Sequence, residues 1–216
     1  MDAPPLAPRV KPRLRGVSHQ LASVVAFAAG AALVLSLAPG AARATAVIYT
    51  LCLTAMLGFS AAYHRPHWAP RARARMERLD HAGIYLLIAG TYTPISLALS
   101  PTHGATLRAM VWGAALVGTL QSTFWMGSKV MSAVLYVIVG WSILPFLSEF
   151  WRTLDAPSLG LILGGGLVYS VGAVIYARRR PDPVPAVFGY HELFHAFVIV
   201  AASLHFAAVT RVLHRV

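Results

Sequence analysis

Five residues in three separate stretches have the types and spacings of a metal-assisted hydrolytic site. They are Ser60 and His64 in Ser60-Ala-Ala-Tyr-His64, Asp80, and the pair in His191-Glu-Leu-Phe-His195. Side chains four apart on a helix stand one above the other on a single face. His191 and His195 therefore share a stripe suited to holding one ion, and Ser60 and His64 share another. With His64 as the third ligand, three neutral imidazoles and one open position describe a catalytic zinc site rather than a structural one. Zinc brings the pKa of a bound water towards neutrality. Asp80 would hold that water and take its proton, while Ser60 orients the water or the aspartate, or donates to a developing oxyanion. The expected chemistry is hydrolysis of a lipid amide or ester bond.

Simpler readings stand beside this one. A histidine near a helix end is commonly interfacial, Asp80 at a helix start is a good N-cap, and Ser60 can bond to its own helix or sit at a packed helix interface. Ionisable groups within membrane spans are costly and commonly functional, so the choice turns on where the spans place these residues.

Hydrophobic residues make up 57% of the 216 and charged residues only 12%, against about 25% charged in an ordinary soluble domain. A soluble fold of this length has no means of hiding that much apolar surface, whereas a bilayer makes hiding it unnecessary. Seven stretches have the length of about 20 apolar residues that a span needs. They run over 17–37, 42–64, 80–99, 105–125, 128–147, 157–177 and 187–213, and only Met126-Gly127-Ser128-Lys129 divides the fourth from the fifth. The alternating pattern of a membrane β-barrel is missing. The expected fold is an all-α integral membrane protein, a bundle of seven transmembrane helices over residues 17–213 preceded by a basic segment, 1–16.

The net charge of +11 does not point to nucleic acid, because the basic residues sit in short clusters between apolar runs. Such clusters set topology and touch anionic head groups. Thirteen of the eighteen Lys and Arg fall on one side if the N-terminus is inside, which predicts a cytoplasmic N-terminus and an outside C-terminus. Ala42-Arg43-Ala44 resembles a signal-peptidase site, but the preceding apolar run is longer than a signal h-region. The single cysteine, Cys52, excludes an internal disulfide and a cysteine-based zinc site, and reads as a packing residue.

With this topology His64 closes the second span at its inner end, Asp80 opens the third at the same level, and His191 and His195 occupy the first turns of the seventh. Three distant stretches thus converge at one depth on the cytoplasmic side, where an acyl chain would enter laterally from the inner leaflet. His205 lies about 15 Å further along the helix than His195 and belongs in the bundle interior, hydrogen-bonded there. His67 and His81 read as neighbours of the site or surface residues, and His19, His103 and His214 as interfacial. Glu192 points away from His191 and is expected to pair with an arginine.

At these positions the chain resembles the haemolysin III family, which belongs with the progestin and adipoQ receptors and more distantly with the alkaline ceramidases. The stretch Asp80-His-Ala-Gly-Ile-Tyr-Leu-Leu-Ile-Ala-Gly-Thr-Tyr-Thr-Pro94 is its most specific segment. The resemblance covers about Leu14 to Leu213. It implies seven helices with the N-terminus inside and zinc held by His64, His191 and His195, with Asp80 and Ser60 beside the water. The compact length resembles the bacterial branch, whose members are named for haemolysis and credited with membrane homeostasis. That implies a multi-pass protein of a bacterial inner membrane with membrane lipids as its partners. A non-enzymatic cytolysin or channel, a haem-binding carrier and a zinc-containing sensor are the competing readings. A pore needs a polar path across the bilayer, and spans such as Gly160 to Val174 supply few polar groups.

Overall fold

The computed structural model describes residues 11–124 and 129–216. The expected break at Met126 to Ser128 and the first ten residues of the basic segment lie outside them.

Eight α-helices account for the described chain: α1 Val17–Ser36, α2 Ala41–His64, α3 Pro70–Ile95, α4 Pro101–Phe124, α5 Lys129–Gly140, α6 Leu147–Thr153, α7 Ala156–Arg178 and α8 Tyr190–Leu213. Counted as spans they are seven, because α5 and α6 are two pieces of one segment. Five segments are long and apolar enough to cross a membrane, the α5–α6 segment Met131–Thr153 among them. The remaining two, α3 and α4, have 26 and 24 residues and are more polar in composition. The protein is a multi-pass membrane bundle. Leu21, Val24, Val25 and Leu35 on the outer face of α1 are 65–79% exposed, a contiguous apolar face that soluble monomers rarely show.

Two element boundaries differ from expectation. The third helix begins at Pro70, not at Asp80. Proline at the first helical position has its φ already set and loses no hydrogen bond, and the Arg, Ala, Met and Glu that follow are good helix formers. A search for apolar runs passes over this charged stretch. Asp80 consequently sits in the body of α3 and is not its N-cap. The fifth span, expected as one helix over 128–147, stops at Gly140 and resumes at Leu147 after a 3-10 turn at Leu144–Phe146. Pro145 cannot donate an intrahelical bond and its ring clashes with the preceding turn.

In the bundle α2 lies between α1 and α3, α3 packs on α4, and α8 packs on α7 while also reaching α1, α2 and α3. Small residues let backbones approach in such bundles. A Cβ placed on Gly30 of α1 would fall 2.3 Å from a Thr50 methyl of α2, and one on Gly90 of α3 2.5 Å from Cys52 Cβ of α2. Cys52 is thus a packing residue where α3 closes on α2.

The two ends of the bundle are tied differently. At the end holding the start of α8, the segment before α1 crosses the bundle. Arg13 and Leu14 donate backbone bonds to Ala186 and Val187 O, each 3.1 Å. Lys11 Nζ donates to Arg65 O at 2.9 Å, and Arg15 pairs with Glu192. At the opposite end Asp155 caps α7, accepting from Ser158 N at 3.3 Å, and pairs with Arg211 and Arg215 of the C-terminal end. The Ser158 hydrogen bond foremost, with both guanidinia beside it, holds the Asp155 carboxyl down at about 2. A depressed carboxyl stabilises the fold above its ordinary pKa and loses that contribution as pH falls through the depressed value. Asp155→Asn therefore lowers the thermal midpoint of the detergent-solubilised protein at pH 7, and the gap from the parent closes between pH of about 4 and about 2. Paired melts across that range check this, and a gap independent of pH would reject the assignment.

Candidate metal centre

The three histidines meet because two helices, α2 and α8, bring them to one end of the bundle. His64 is the last residue of α2, and His191 and His195 lie in the first two turns of α8. Their exposures are 7%, 9% and 2%, so water supplies little of their hydrogen bonding. Ring centroids are 4.6 Å apart for His64 and His191, 4.5 Å for His191 and His195, and 5.1 Å for His64 and His195. One nitrogen from each can be chosen so that all lie within 4.8 Å of one another. His64 Nε2 and His191 Nε2 are 3.1 Å apart. Two imidazoles bound to one zinc at about 2.0–2.1 Å in tetrahedral geometry place their nitrogens roughly 3.3 Å apart. The donor set and its spacing fit a small divalent cation of borderline softness, with room for a fourth ligand.

Asp80 of α3 faces this group, its Oδ2 3.6 Å from His64 Nε2, and retains 18% of its side-chain exposure. Ser60, one turn before His64, is 3% exposed and lines the same cavity as Asp80. All of Ser60, Asp80, His191 and His195 line one cavity of about 140 Å³ that continues between α3, α5, α7 and α8. Beyond the polar end its walls are apolar, with Leu87, Ile88, Val137 and Leu163 among them, and His205 stands at the far end. Polar chemistry at one end of an apolar chamber suits an amphiphile whose reactive bond sits beside its tail.

The other ionisable residues sort cleanly. Glu192 pairs with Arg15 and accepts from Gly189 N at 2.9 Å, capping α8 and leaving the cluster alone. His205 bonds Ile162 O at 3.0 Å in the interior. His81 bonds the Tyr136 hydroxyl at 2.9 Å, and His67 is exposed. His103 pairs with Glu149 at the far end.

His19 corrects the sequence reading. Expected at the interface, it is 2% exposed and stacks on His195 with centroids 3.8 Å apart and planes 3° from parallel. The signal was available: His19 is the third residue of α1, so the same depth argument that gathered His64 and His191 applies to it. Its rotation towards the bundle interior was not legible.

Comparison with known proteins places the whole arrangement. A family model described as haemolysin-III related matches residues 8–206. The chain belongs to that family. It is 32% identical over 164 residues to Hemolysin-3 of Bacillus cereus, covering 75% of this chain and 72% of that protein. Over 179 residues it is 26% identical to the monocyte to macrophage differentiation factor of Homo sapiens, covering 80% and 72%. Over 173 residues it is 27% identical to the adiponectin receptor protein of Drosophila melanogaster, covering 71% of this chain but only 39% of that receptor. This haemolysin III protein therefore shares most of its bundle with relatives from bacteria to animals.

Proposed function

We propose that this protein is a zinc-dependent hydrolase of lipid amide or ester bonds, acting from the cytoplasmic side of a bacterial inner membrane in lipid homeostasis. The observation that carries the reading is the cluster of three buried imidazoles with ligand atoms within 4.8 Å, beside a carboxylate at the polar end of an apolar cavity. The excess of Lys and Arg on the loops at this end supports its cytoplasmic placement.

His64, His191 and His195 would hold the ion. Zinc bound there would supply Lewis acidity, making water a better nucleophile and, by polarising a carbonyl oxygen, the carbonyl carbon a better electrophile. The remaining work falls to the chain. Asp80 accepts the proton of the attacking water and returns it to the leaving amine or alkoxide. Ser60, on the same cavity wall, would donate to Asp80 and fix the carboxylate that receives the proton. The apolar stretch of the cavity takes the acyl chain from the membrane and keeps bulk water from the reacting bond. Substrate arrives laterally, as membrane lipids are this protein's expected partners, and nucleic acid is not among them.

The test is release of free fatty acid from a bacterial inner-membrane lipid extract by the purified protein in detergent. Release is expected to stop after chelation and to return on adding zinc, and chelator-insensitive release would defeat the proposal. Cytolysis, suggested by the name of the Bacillus cereus relative, is the competing reading, and the mostly apolar wall of the cavity beyond the cluster counts against it.

A further inference from the structure

We infer that His19 is a positioning residue for the metal centre, setting the plane of His195 through the face of its ring. This rests on the metal reading above.

A histidine that binds a metal through one nitrogen is normally oriented by a hydrogen bond from the other. Such orientation is needed because the terminal torsion of a histidine is soft, so the ring turns readily about its Cβ–Cγ bond. Among the three proposed ligands His195 has no such bond: its Nδ1 is sealed from solvent and has no partner. His64 faces the Asp80 carboxylate through Nε2, at 3.6 Å, and His191 has the Tyr176 ring edge-on at 5.5 Å. The closest ring to His195 is His19, face to face at 3.8 Å and 3°. Rotation of His195 would drive its edge into that face, so the stack removes the freedom that a hydrogen bond removes elsewhere.

The same geometry excludes His19 as a fourth ligand to the same ion. The lone pairs of His19 lie in a plane parallel to that of His195 and one ring thickness away, so the two rings would not both direct a lone pair at one ion. Neither nitrogen of His19 makes a hydrogen bond, and both are sealed from solvent, although buried polar groups are nearly always paired. What His19 contributes is its flat face. Its own placement is held from below: Gly16, at φ +77°, lets the chain turn into α1 where a Cβ would come within 2.7 Å of His64 Cβ, and Arg15 is tied to Glu192 of α8.

Cobalt(II) binding to the purified full-length protein, followed by competition against a chromogenic chelator and by its visible absorption, tests this. Loss of an orienting partner of a metal-bound histidine typically costs 10- to 100-fold in affinity. His19→Ala is expected to lose affinity in that range and to shift the cobalt spectrum, while His19→Phe, which keeps a flat ring, returns both close to the parent. If His19→Ala does not fold, His19→Leu takes its place as an apolar side chain without a flat face. Unchanged affinity and spectrum in the alanine or leucine variant would overturn the inference, as would a phenylalanine variant no better than alanine. A parent that binds no cobalt, or binds it equally after His195→Ala, overturns the metal reading itself and this inference with it.

Discussion

Purified protein is expected to carry about one zinc per chain, and the His191→Ala, His195→Ala double variant none. This is the largest effect expected of any change to the chain, because two of the three imidazoles within 4.8 Å of one another disappear together and His64 alone has no means of retaining an ion. Elemental analysis of parent and variant, prepared side by side and normalised to protein, measures it. Both side chains are buried at the start of α8, so folding is controlled by gel filtration and by the helical circular dichroism of the two preparations. The capping of α8 by Glu192 involves neither imidazole, which is why α8 is expected to remain helical in the variant. Equal metal in both preparations would remove the histidine cluster as a metal centre, and with it the hydrolytic reading.

Asp80→Asn separates chemistry from metal binding. The amide keeps the size of the carboxylate and its place opposite His64 but is no proton acceptor. Zinc content is expected to stay at the parent level, while release of fatty acid falls by roughly 10²–10⁴-fold, the usual contribution of a positioned general base. The paired measurements are metal content and turnover on one preparation. Loss of the metal together with activity would make Asp80 a structural support of His64, which its 3.6 Å approach to that ring also permits. Unchanged turnover would exclude it as the base.

These experiments bear on residues that the sequence brought together through a short chain of reasoning. The spacing of His191 and His195 places them on one helix face whatever the rest of the fold does, since that follows from 3.6 residues per turn. Alternating spans then put His64, Asp80 and His191 at one depth. The error at Asp80 is instructive because it left the depth unchanged. The helix starts ten residues earlier, at Pro70, but the crossing direction and therefore the level of Asp80 are the same. The error at His19 is of another kind. Depth was right and azimuth was unknown: nothing in the α1 sequence says which side of the helix meets α8.

What the sequence determines by itself is the membrane bundle, its spans and the level of its polar residues. The physical reason is that a bilayer is a nearly uniform solvent along each span. Backbone in lipid must satisfy its own hydrogen bonds, so an apolar run of sufficient length becomes a helix without consulting its neighbours. What only the tertiary structure decides is lateral: which helices touch, how each is rotated, and what lies between them. The stack of His19 on His195, the Arg15 to Glu192 tie and the apolar chamber leading to His205 all depend on contacts between residues far apart in the chain. Those contacts are set by close packing of small residues such as Gly30 and Gly90 against neighbouring helices, and no periodicity within a single helix encodes them.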